Sequence, residues 1–168
     1  MIKNNLIYIR MDIFVNLLFI NTEIETFKIK VDEKTTLTQA KELIREQSCV
    51  YPEEQVWFIN NSPILKFKEI EWNNTSNYSI IVNNKWFTFN IKTMSGNNIE
   101  VKYLNSRDKI SIIKYHIYEK IKLGPNSYKL IANTIKGAVE LKDNEMIGRY
   151  FIPNNTTINL IISLNSGF

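Results

Sequence analysis

The sequence predicts an α+β protein made of two tandem copies of one unit, and three observations lead there. Short runs of alternating apolar and polar residues read as strands, and two amphipathic stretches carry apolar residues at helical spacing. The order strand, strand, helix, strand, strand then appears twice, at a period of about 75 residues, which marks an internal duplication. Only Asn83, Asn84 and Lys85 separate the copies, a linker too short to let them roam freely.

In the first copy, MDIFVNLLFI from Met11 and TFKIKV from Thr26 are strand-like, joined across the polar stretch NTEIE as a hairpin with a long loop. DEKTTLTQAKELIREQ follows as a helix, with Leu37, Ala40 and Ile44 on one stripe and a Thr or Asp before them as the cap. Pro52 stands after the helix; QVWFIN and YSIIVN are the two closing strands. In the second copy, WFTFNIKT and IEVKYL are strands joined at MSGNN, where Gly96 takes a positive φ at no steric cost. DKISIIKYHIYEKIKLG is a helix with Ile110, Ile113, Ile117 and Ile121 along its buried stripe, closed by Gly124 and Pro125. SYKLIAN, the short GAVEL and the final TTINLIISLN complete the unit.

The chain has 168 residues, 44% of them apolar and 23% charged, the balance of a folded globular protein. Its net charge of +4 comes from scattered lysines with no basic block for a phosphate backbone, so no nucleic-acid partner is expected. One cysteine, Cys49, and one histidine, His116, supply too little material for a zinc cluster or a nucleophile–histidine pair. Cys49 reads as a helix-end or loop residue and His116 as an exposed helix residue. No acid, base and nucleophile converge in the sequence, and the protein is not expected to be an enzyme or to hold a cofactor or metal. Residues 1–10 form an extension or lead-in to the first strand, with Met11 a candidate start; Arg10 and Asp12 interrupt the early apolar run, so neither a signal peptide nor a membrane span is expected, and the location expected is the cytoplasm.

Two strands, a helix across them and a last strand returning beside the first describe a β-grasp, in which the helix covers one sheet face. Strand parity then places Ile158, Leu160 and Ile162 inward and Asn159, Ile161 and Ser163 outward; Leu130 points inward and Ile131 outward. With Met94 in the first turn, Met94, Ile131 and Ile161 form a candidate docking patch, although scattered exposed apolar residues are ordinary.

At this point the residues resemble the ubiquitin family. KTMSGNNI at 92–99 resembles ubiquitin's first hairpin and MDIFVNLL at 11–18 its opening strand, and in the second copy LIA at 130–132, IGRYFI at 147–152 and TINLIISL at 157–164 follow in its order. The likeness covers 11–83 and 86–168, giving a first domain of 11–83 and a second of 84–168. It implies that Met94, Ile131 and Ile161 stand at the family's recognition patch, with Asn159 beside them in place of a histidine. In the first copy the central patch position falls on Phe58. Lys92 and Lys114 match family lysines and read as surface charges.

The resemblance also gives meaning to the last residues. Leu164, Asn165, Ser166 and Gly167 correspond to an extended conjugation tail, with Gly167 on the terminal glycine, Ser166 in place of the penultimate one, and Phe168 a one-residue extension to be removed. At about 3.4 Å per residue, 164–167 reach roughly 14 Å, enough to enter a narrow enzyme groove. Two such copies with a tail on the second resemble the interferon-induced tandem ubiquitin-like modifier and the BilA proteins of bacterial antiphage operons. The partners this implies are an E1-like activating enzyme that uses ATP, an E2-like conjugating enzyme, a processing peptidase of the JAB type, and target proteins. The other reading is a non-conjugated module that recruits partners through the same face.

Overall fold

A computed structural model describes residues 10–20, 23–65, 70–134 and 137–163. The chain divides into two compact units, Met1–Asn83 and Asn84–Phe168. Both are α+β, each with one five-stranded mixed sheet.

The first unit runs β1 (Met11–Leu18), β2 (Ile24–Val31), α1 (Leu37–Ser48), a 3-10 turn (Pro52–Glu54), β3 (Gln55–Ile59), β4 (Ser62–Pro63) and β5 (Tyr78–Val82). Its sheet order is β2-β1-β5-β3-β4, with β1 and β5 paired in parallel and the other pairs antiparallel. The second unit runs β6 (Phe87–Lys92), β7 (Asn98–Leu104), α2 (Ile110–Ile121), β8 (Tyr128–Thr134), β9 (Gly137–Leu141), α3 (Ile147–Tyr150) and β10 (Thr157–Ile162). Its order is β7-β6-β10-β8-β9, again with the first and last strands parallel. The two sheets correspond strand for strand. Alternation marks four strands in the first copy, whereas the fold has a fifth, the two-residue β4, whose Ser62 and Pro63 carry no alternation.

Alternate strand residues build each core. Ile13, Val15, Leu17, Ile29, Val31, Trp57, Tyr78, Ile80 and Val82 are buried against Ala40 and Ile44 of α1 in the first unit. In the second, Phe87, Phe89, Ile91, Val101, Leu130, Ile158 and Leu160 are buried with Ile110, Ile113 and Ile117 of α2. Helix α1 starts where Thr36 caps it: its hydroxyl accepts from the Gln39 amide at 3.2 Å, while the Gln39 side-chain carbonyl accepts from the Thr36 amide at 2.8 Å. This reciprocal box satisfies two otherwise orphaned donors. Thr36→Ala is expected to cost about 1 kcal/mol, read as a lower urea midpoint at unchanged m-value.

Two helix-end expectations are corrected. Helix α2 closes at Lys122, which takes the left-handed conformation at φ 56°, before Gly124 and Pro125 are reached. Ile121, placed on the buried stripe, is 43% exposed, because the last turn leaves the sheet before it can be covered. Ile162 likewise surfaces at the end of β10, at 39%. Cys49 is the left-handed cap of α1 and is buried, as the helix-end reading implies, whereas His116 is half-buried.

Lys114 requires a larger correction, since it is buried rather than a surface charge. Its ammonium donates to the Pro125 carbonyl at 3.1 Å, pairs with Asp143 at 2.7 Å and lies 5.3 Å from the centre of the Tyr128 ring. A buried ammonium needs such partners to offset its lost hydration. The first unit repeats the device at the equivalent position: Lys41 donates to the carbonyls of Pro52 and Gln55 at 3.0 and 2.9 Å. In both units a helix lysine ties the helix to the loop eleven residues on. Lys92 is exposed.

Candidate functional site

The open face of the second sheet carries the predicted patch. Strands β8 and β10 pair so that Asn159 lies opposite Ile131 and Ile161 opposite Lys129. On its other side, Asn159 pairs with Lys92 of β6. Because β6 and β10 run parallel, Met94, two residues beyond Lys92, lies towards the same end of the sheet as Ile161, two beyond Asn159. The four residues are thus gathered on neighbouring strands and one adjoining turn. Gly96 holds that turn with φ +86°.

Exposure differs among them. Met94 is 71% and Ile161 46% exposed, whereas Ile131 and Asn159 are half-buried. Ile131 is shielded because it sits between β9 and β10, with Glu140 opposite on one side and Asn159 on the other. The surrounding face is charged. Glu140 accepts from Lys142 at 2.9 Å and Lys129 at 3.4 Å, and these cations, Lys142 first, hold its carboxyl below the usual range. Ile131 and Ile161 thus lie on adjacent strands among polar neighbours, Asn159, Lys129 and Glu140.

The first unit presents a broader apolar row that the sequence reading did not assemble. Ile24 lies opposite Leu18, Leu18 opposite Ile81, and Ile81 opposite Val56, so four apolar side chains cross the sheet in one line. Phe58 is half-buried one row away, opposite Ser79 and Pro63. Parity within β5 alone marks Ile81 as outward; the line could be seen only once strand register joined residues far apart in sequence.

The tail residues Leu164, Asn165, Ser166, Gly167 and Phe168 lie outside the described residues. Immediately before them the Ser163 amide donates to the Ser127 carbonyl at 2.9 Å, continuing the line of β10.

No group of three His, Cys, Asp or Glu side chains that could hold a metal ion occurs among the described residues, and no helix there is long and apolar enough to cross a membrane. The carboxylates with lowered pKa, Asp12, Asp32 and Glu140, each owe the shift first to a local hydrogen bond, from Lys28, Thr35 and Lys142 respectively. A cleft of about 590 Å³ in the first unit is lined by charges of both signs, including Arg10, Lys30, Asp32 and Glu42, and within it the Thr35 hydroxyl donates to the Asp32 carboxylate at 2.9 Å.

Tyr128 is the exception in magnitude. It is 2% exposed, and burial, with the negative charge of Asp143 adding to it, pushes its hydroxyl from the ordinary 10.0 up to about 12. The folded form therefore holds this proton more tightly than the unfolded form, so stability is intact below pH 10 and is lost as pH rises from about 10 through 12. Urea midpoints measured across that window should fall, and the slope should flatten in Tyr128→Phe.

Compared with known proteins, the chain matches no family model, and no curated protein matches its sequence at a significant level.

Proposed function

We propose that both units are β-grasp domains and that the chain is a ubiquitin-like modifier acting in the cytoplasm, attached to its targets through Gly167. The observation that carries this reading is the shared sheet order, with first and last strands parallel in each unit, together with a last strand that hands the chain directly to residues 164–168. The exposed Met94 and Ile161 beside Ile131 and Asn159 support a docking role for the face next to that exit.

In this account a JAB-type peptidase hydrolyses the bond before Phe168. An E1-like enzyme joins the freed Gly167 carboxylate to the AMP part of ATP, with pyrophosphate leaving; a thiolate then displaces AMP to give a thioester. The thiolate of an E2-like enzyme displaces the first thiol and takes over the thioester, and a target amine then displaces that second thiol and forms an amide. The protein contributes the carboxylate and the docking face, and its partners contribute the catalysis. By resemblance to the tandem modifiers of antiphage operons, such adducts would serve antiviral defence.

The reading is tested against the non-conjugated module by two variants. Deleting residues 166–168 is expected to remove all adducts and all function, whereas Ile131→Ala with Ile161→Ala weakens engagement of the E1-like enzyme by roughly tenfold or more. Function that survives the deletion but not the patch variant would establish the recruiting module instead.

A further inference from the structure

The two copies differ on the solvent side of their helices. In α1 that side is polar: Gln39 closes the capping box, and Glu42 pairs with Arg45 at 2.7 Å. The equivalent positions in α2 hold Ile112, Tyr115 and Tyr118, which are 37%, 60% and 42% exposed. The second helix also lacks a side-chain cap, since Lys109 stands at its N-cap and Ile112 replaces the residue that closes the box in α1. A partly exposed apolar side chain thus stands where a capping residue would stabilise the helix, and clustered exposed apolar side chains mark interaction surfaces.

The charge around this ridge is one-sided. Lys109 precedes it and Lys122 follows, with the Lys122 ammonium 5.4 Å from the centre of the Tyr118 ring; Glu119 is the acid on the ridge. The whole second unit carries 12 Lys and Arg against 6 Asp and Glu, a net +6, whereas the first carries 9 against 11, a net −2. The ridge residues recur at i, i+3 and i+6, a row that fits the groove of a second helix.

We propose that the solvent face of α2 is a second docking surface, separate from the sheet face, and that its occupant is an acidic amphipathic helix of a partner protein. The partner's apolar stripe covers Ile112, Tyr115 and Tyr118, and its carboxylates meet Lys109 and Lys122. Exposed tyrosines suit this use, because they bury a large ring at low entropic cost and keep their hydroxyls wet.

The test uses the full chain and a fluorescein-labelled synthetic helical peptide with leucines at a and d and glutamates elsewhere, beside the same peptide with lysines for glutamates. Anisotropy is expected to show the acidic peptide binding roughly tenfold or more tighter than the basic one, and weakening as NaCl is raised. Tyr115→Ala and Lys122→Glu should each weaken it by about tenfold or more, with Glu42→Ala on the sister helix neutral; all three sites are at least partly exposed, and circular dichroism checks that the variants are folded. Equal binding of the two peptides, no binding, or indifference to Tyr115→Ala overturns the proposal. Tyr115-dependent dimerisation, or Tyr115-dependent sedimentation with phosphatidylglycerol vesicles without peptide binding, would give the face to a second copy or to a membrane and overturn it equally.

Discussion

Gly167→Val is expected to abolish every covalent adduct of this protein while leaving its thermal midpoint unchanged. The proposed chemistry requires the chain end to pass close to a nucleotide and then a thiolate. Glycine, lacking Cβ, allows that approach; valine places two methyl groups where the groove must close. A misplacement of about 1 Å at a reacting carboxylate is enough to cost roughly a hundredfold in rate. Thioester formation on the activating enzyme, followed by non-reducing electrophoresis, should thus fall by about that factor or more. A chain shortened to end at Gly167 should form the thioester without any peptidase. Undiminished thioester from the valine variant would remove the tail from the account.

Trp57→Ala is expected to destabilise the first unit by about 3–5 kcal/mol, a large share of the roughly 5–15 kcal/mol by which domains are stable. Trp57 is 2% exposed and meets Trp72 edge to face at 6.2 Å; Trp72 in turn contacts Tyr78 at 5.4 Å. The cluster is pinned by hydrogen bonds. The Trp57 indole donates to the Gln55 side chain at 3.0 Å, and the Trp72 indole to the Thr35 carbonyl at 2.6 Å. Gln55 is itself buried and donates to the Lys41 and Val50 carbonyls, so the cluster joins the sheet to the loop after α1. Trp57→Phe keeps most of the ring but strands the Gln55 oxygen, and should cost about 1–3 kcal/mol. Urea denaturation followed by circular dichroism separates the two variants; a loss below about 1 kcal/mol for Trp57→Ala would contradict this packing.

Periodicity carried the elements well. The alternation in MDIFVNLL and TINLII, and the stripe of Ile110, Ile113 and Ile117, reflect burial that local geometry imposes, so they are legible in one dimension. Lys114 was misread because its burial depends on Pro125 and Asp143, partners 11 and 29 residues away, which no local pattern announces. Ile121 was misread because periodicity continues past the point where the sheet stops. On the face of β8 and β10, parity marks Ile161 as outward, but the partial shielding of Ile131 depends on Glu140 and Asn159 across two strand pairs. The apolar row from Ile24 to Val56 was invisible for the same reason, since register is a tertiary property.

The central claim is conjugation through Gly167, and intact mass spectrometry of the protein recovered from its native cells tests it most directly. The account predicts a free pool lighter by one phenylalanine and a heavier pool whose digest contains Gly167 in amide linkage to a target amine. A single unadducted species that still carries Phe168, in cells where the system is active, would contradict it.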